Sequence, residues 1–116
     1  MKTVHIPFDM FEAIELNVHS TSIQEDYIAK VREIGFFSDI IGEAVTVYGR
    51  ENKRYEVDIA VWRCTDVKQT QLISYLSHEI THACQCITEY LGIKDDEFSA
   101  YLHQYILKVC LEKKVV

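Results

Sequence analysis

The hydrophobic period of this chain changes once, after Cys64, and that change limits the folds open to it. From Tyr55 to Cys64 the pattern has period two. Tyr55, Val57, Ile59, Val61 and the aliphatic stem of Arg63 alternate with Glu56, Asp58, Ala60, Trp62 and Cys64, as on a pleated strand with two different faces. Farther on, Leu72, Leu76, Ile80, Ala83, Ile87 and Leu91 fall on one helical stripe, which Gly92 ends. Asp95 or Asp96 then caps a second helix whose stripe is Phe98, Leu102, Ile106 and Val109. Upstream, Thr3 to Phe8 and Ala13 to His19 read as short strands, with Pro7 at an edge or a turn. Ser20, Thr21 and Ser22 offer a cap for a helix over 22–35, with Ile23, Tyr27, Ile28, Val31 and Ile34 at helical spacing and Gly35 as its stop. Ala44 to Tyr48, a polar turn over 49–54 and the Tyr55–Cys64 run predict a hairpin. Strands come early and two helices come late, so the expected class is α+β. The expected architecture is one domain over 1–116, with a small antiparallel or mixed sheet and an N-terminal helix ahead of the two later helices.

Charge and composition exclude some functions. The chain carries 12 Lys+Arg against 18 Asp+Glu, a net charge of −6. That balance argues against nucleic-acid or anionic-membrane partners, which select basic surfaces. No apolar run approaches the ~20 residues that span a bilayer, and the opening residues lack the uncharged apolar stretch of a signal peptide. A soluble, cytoplasmic protein is expected. On that expectation Cys64, Cys84, Cys86 and Cys110 are free thiols. Cys84 and Cys86, two apart on a helix, point about 200° from each other and do not share one metal readily.

Residues 78–82 read His-Glu-Ile-Thr-His. On a helix, His78 and His82 project from one face, one turn apart. Two imidazoles at that spacing can close on one zinc ion at ~2.0–2.1 Å, with Glu79 beside them to act as general base toward a water at the metal. The apolar stripe through Leu76, Ile80, Ala83 and Ile87 would pack inward, leaving Tyr75, His78 and His82 to line a cleft.

A catalytic zinc takes a third protein ligand and keeps one position open. An extended His-Glu-x-x-His-x-x-Gly-x-x-His form is excluded by Gln85 and Thr88. Glu89 lies two turns beyond His82, and Cys86 one turn beyond it, so neither converges with both histidines on a straight helix. The ligand must come from another element. Glu97 is the leading candidate. It opens the second helix after the Gly92 turn, and Tyr101, four residues on, shares its face. Asp96, His103 and Cys64 remain as alternatives. Acids at 95–97 also complement a helix N-terminus by ~0.3–1 kcal/mol, and the two roles are compatible.

With those residues in view, His78-Glu79-x-x-His82, then Gly92, then Glu97-Phe98-Ser99-Ala100-Tyr101, resembles the gluzincin type of zincin metallopeptidase. In that family a glutamate on the following helix is the third zinc ligand. Asp58 to Trp62, Ser77 to Ala83, Asp96 to Leu102 and the pair Tyr105-Ile106, together with the opening Val4-His-Ile-Pro7, look more narrowly like small phage- and prophage-encoded metallopeptidases. The strong motifs occupy residues 55–106. The resemblance implies a minimal zincin-like fold, one zinc held by His78, His82 and Glu97, a peptide or protein substrate, and the cytoplasm of a bacterial host if the chain is phage-encoded. As a peptidase, the chain would use Glu79 as the base, and Tyr101 or His103 would donate to the oxyanion. The Tyr55–Cys64 strand would be the sheet edge to which a substrate adds by backbone pairing, and Trp62 would be buried or line that cleft. The short His82-to-Glu97 interval leaves little room for a specificity lobe. Two other readings stand beside the peptidase. One is a catalytically silent zinc-binding scaffold serving as a phage protein-interaction module, and the other is a helical interaction domain without metal. His5 and His19 read as surface or satisfied core residues, and the sequence pattern sets no oligomeric state.

Overall fold

A computed structural model describes residues 1–8, 13–34 and 54–116, and the backbone alone of residues 45–51. The elements run β1 (Lys2–Ile6), β2 (Ile14–Thr21), α1 (Gln24–Glu33), β3 (Val45–Glu51), β4 (Tyr55–Trp62), α2 (Gln69–Leu91) and α3 (Asp96–Glu112). The class is α+β, with a mixed four-stranded sheet in the order β1-β2-β4-β3. β1 pairs with β2 antiparallel, β2 with β4 parallel, and β3 with β4 antiparallel. The expected hairpin is therefore present as β3 and β4, although Gly49, Arg50 and Glu51 belong to the strand rather than to the turn.

Alternation sorts the sheet into two faces. Val4, Ile6, Ile14, Leu16, Val18, Val57, Ile59 and Val61 are buried in one cluster with Leu72, Leu76, Ile80, Ala83, Cys84 and Ile87 of α2 and Leu102, Ile106 and Cys110 of α3. On the other face, Ala60 and the half-buried Trp62 join Tyr27, Val31 and Ile34 of the α1 segment. The sheet thus lies between α1 and the α2–α3 pair. Ser20 falls on the α2–α3 side and is fully buried. Its hydroxyl is satisfied by donating to the Val115 carbonyl at 2.6 Å.

The two long helices end and start as their caps dictate. Gly92 adopts the left-handed conformation (φ 71°) that closes α2, with the Ile93 N–H donating to the Thr88 carbonyl at 2.9 Å. Asp95 is the N-cap of α3 and accepts from the Glu97 N–H at 2.9 Å. α3 then folds back along α2, and Tyr90 near the end of α2 stacks on Tyr55 at the start of β4 with ring centroids 4.4 Å apart. The start of α1 differs from expectation. β2 continues through Thr21, so Ser20 and Thr21 are strand residues and Ile23 occupies the N-cap without a side-chain cap. The Thr21 hydroxyl instead accepts from the Ile23 N–H at 3.1 Å. The predicted stop at Gly35 lies outside the described residues.

All four cysteines are free thiols, as expected. Burial raises the Cys84 thiol to about 11 and the Cys110 thiol to about 12 from an ordinary 9.0. Both groups ionise more easily in the unfolded chain, so their burial favours the fold below pH 9.0 and loses stability above it. A thiol-titrating reagent near neutral pH is expected to modify Cys64 and Cys86, which are half-buried, well before Cys84 and Cys110. Denaturant midpoints measured from pH 8 upward are expected to fall as pH rises through the range about 9 to 12. Replacing both buried cysteines by alanine flattens that decline.

Candidate functional site

The His-Glu-x-x-His segment lies in the middle of α2, and its orientation follows from the buried stripe. Leu76, Ile80, Ala83 and Ile87 are fully buried against the sheet, so residues 78 and 82 are carried to the outer face. His78 and His82 are exposed, and Glu79 is half-buried. The two Nε2 atoms stand 3.2 Å apart, with the rings crossed at 76° and their centroids separated by 4.9 Å. Two nitrogens each ~2.0–2.1 Å from a common tetrahedral ion would stand about 3.3 Å apart, so this pair fits two positions of a zinc coordination shell. The His82 Nδ1 lies 3.1 Å from Oε1 of Gln85.

Burial raises the Glu79 carboxyl above 4.5, and the neighbouring charges of His82 and then His78 partly offset the rise. The carboxylate is therefore near both rings, in a setting that makes it a better proton acceptor than a fully solvated glutamate.

The third ligand is not brought to the pair. Among the described residues no group of three His, Cys, Asp or Glu side chains is placed to hold a metal. Glu97 is exposed in the first turn of α3, as is Asp96, and the Glu97 backbone N–H is engaged by Asp95. Nor does His103 face the pair. Its Nε2 lies 3.0 Å from the Ser77 carbonyl and 3.3 Å from the Ser77 hydroxyl, and so ties α3 to α2. Cys86 packs against the main core, and Cys64 lies beyond the end of β4, half-buried. Tyr101 is 67% exposed. Tyr75, expected to line a cleft, is partly buried against the core instead.

One expectation about the cleft is corrected, and Trp62 takes the packed one of its two readings. β4 is not a sheet edge; it lies between β2 and β3, and the edge on that side is β3. Its Asp58 is buried with Asn17 and His19 of β2 as partners, so this polar position does not require an edge. Trp62 does not line the motif side. It stacks on Tyr27 of α1, with centroids 6.3 Å apart, on the opposite face of the sheet.

That opposite face holds a polar network that the alternation pattern did not reveal. Asn17, His19 and Asp58 are all less than a tenth exposed. The His19 Nε2 donates to Asp58 Oδ1 at 2.9 Å, and the Thr3 hydroxyl lies 3.0 Å from the remaining His19 nitrogen. Asn17 donates to the same Asp58 oxygen at 3.3 Å, and its own carbonyl oxygen meets the His5 Nδ1. The sequence signal was present: Asn17, His19 and Asp58 share one phase of two adjacent strands, but nothing in either run announces that the strands pair. His19 is thus a satisfied core histidine, and His5 a surface one.

No protein-family model matches this chain, and no curated protein or solved structure matches it.

The network joins three strands and lies on the face away from α2, so its loss is expected to cost stability alone. Asp58→Ala leaves the His19 ring and the Asn17 amide short of a partner. A destabilisation of about 1–3 kcal/mol is expected in denaturant unfolding, with zinc uptake by the folded chain unchanged in equilibrium dialysis.

Proposed function

We propose that this chain is a zinc-dependent peptidase in which His78 and His82 hold the metal and Glu79 is the general base. The observation that carries the proposal is the pair of Nε2 atoms 3.2 Å apart on the outer face of α2, with a half-buried carboxylate of raised pKa near both rings. A zinc ion bound there supplies Lewis-acid polarisation of the scissile carbonyl and lowers the pKa of water towards ~7. Glu79 accepts a proton from the attacking water and returns it to the departing amine, the work for which a raised carboxyl pKa suits it. Glu97 is the proposed third ligand. It is one of the exposed acids at the start of α3, the helix that folds back on α2, and its carboxylate has no hydrogen-bond or ion-pair partner among the described residues. Tyr101, four residues on and exposed, is the proposed donor to the oxyanion. The outer edge of β3, which α2 lies alongside, is the place where an extended peptide would add to the sheet.

A second reading is favoured by one specific observation, that only two ligands converge among the described residues. On that reading the histidine pair binds zinc without turnover, and the chain serves as a zinc-binding interaction module, in keeping with its resemblance to phage-encoded proteins. A partner for either reading is a peptide or protein. No helix among the described residues is long and apolar enough to cross a membrane.

Glu79→Gln separates the two. Under the peptidase reading this substitution retains zinc in elemental analysis and lowers peptide hydrolysis by at least about 100-fold, the low end of a general base's contribution. Undiminished hydrolysis in that variant would remove Glu79 from the mechanism. Zinc uptake without hydrolysis in the wild type would favour the module. Glu97→Ala, purified alongside, is expected to lose zinc relative to the wild type. Equal zinc in both would remove Glu97 as the third ligand and leave Asp96, the other exposed acid of that turn, as the next to test.

A further inference from the structure

The two histidines of the pair are not held alike. The Nδ1 of His82 faces the side-chain carbonyl oxygen of Gln85 at 3.1 Å, three residues on along α2. A carbonyl oxygen only accepts, so the ring donates from Nδ1, and in the neutral imidazole the free lone pair is then on Nε2. That Nε2 is the atom directed at His78, 3.2 Å away. His78 has no such partner at its own Nδ1 among the described residues, so the orientation of the pair is set from one side. Gln85 also occupies the position that excluded the extended zincin motif, and the catalytic reading gives it no role.

We infer that Gln85 is a positioning residue for metal uptake: its amide oxygen holds His82 in the Nδ1–H form and directs the Nε2 lone pair at the position a zinc ion shares with His78. The inference rests on the zinc reading above and adds to it the group that prepares one ligand before the metal arrives. A ligand histidine that donates its outer N–H to a fixed acceptor keeps one tautomer and one ring orientation, and losing that acceptor typically weakens metal binding ~10–100-fold. Gln85 and His82 are both exposed, so water replaces part of the lost bond, and the effect belongs at the lower end of that range.

The test uses the full chain with zinc itself as the probe, in competition with a chromophoric chelator, for wild type, Gln85→Leu and Gln85→Glu. Leucine removes the acceptor and keeps a strong helix former on the surface of α2; glutamate keeps an acceptor. The leucine variant is expected to bind zinc about tenfold more weakly, the glutamate variant at least as tightly as wild type, and all three to unfold alike without metal. Nitrogen-15 spectra of the histidine rings, recorded without metal at mildly alkaline pH, provide a readout that a purely structural glutamine would not move. His82 is expected in the Nδ1–H form in wild type and in the glutamate variant, and to lose that preference in the leucine variant. Equal zinc affinity in wild type and the leucine variant would overturn the inference and leave the zinc reading standing. An Nε2–H form of His82 in the metal-free wild type would overturn it without reference to zinc. A wild type that takes up no zinc would overturn the zinc reading itself, and the affinity claim with it.

Discussion

The seating of α2 on the sheet is the interaction on which the rest of the candidate site depends. Ile80 lies inside the motif, one residue from Glu79 and two from each histidine, and it is fully buried. With Leu76, Ala83 and Ile87 it fixes the rotation of the helix about its own axis. Everything chemical about residues 78–82 follows from that rotation. It sends the two imidazoles outward, leaves Glu79 half in and half out, and turns the Ser77 carbonyl toward His103 on α3. The apolar residues contribute no chemistry, yet they decide which chemistry the polar ones can reach.

The same sheet carries two unlike polar arrangements on its two sides. On the α1 side, Asn17, His19 and Asp58 are buried and bonded to one another, so each satisfies what burial would otherwise leave unpaired. On the α2 side, His78 and His82 are exposed and meet mainly each other and Gln85. A buried and fully bonded histidine has no lone pair to offer a ligand, whereas an exposed pair with converging nitrogens does. That contrast separates His19 from His78 and His82 better than residue type does.

Much of the fold is legible in the sequence where structure is local. The stripes of α2 and α3, the left-handed Gly92, the Asp95 cap and the β3–β4 hairpin each depend on residues a few positions apart. What is not legible depends on pairing across distance. Glu56 and Asp58 alternate with Val57 and Ile59, which fits a strand with two unlike faces, and only the resemblance makes β4 an edge. The structure makes it interior, and Asp58 finds Asn17 and His19 on β2. Within the site, the helical spacing foretells that His78 and His82 converge. It does not foretell the part played by Gln85, since a glutamine three residues past a histidine is ordinary on any exposed helix. Nor does it foretell that Glu97 stands apart from the pair, because that turns on the angle at which α3 returns along α2.

The parallel pairing of β2 with β4 also bears on how the chain reaches this structure. Each residue of β2 meets one that is 41 positions later, with α1 and β3 between them. The β1–β2 and β3–β4 ladders close short intervals, and the α2–α3 hairpin closes a shorter one through Gly92. The central seam therefore carries the largest single loop-closure cost among these pairings, and it is the most non-local contact of the sheet. Until it closes, the β1–β2 and β3–β4 hairpins stand apart, and the edges of β2 and β4 that will meet are both open.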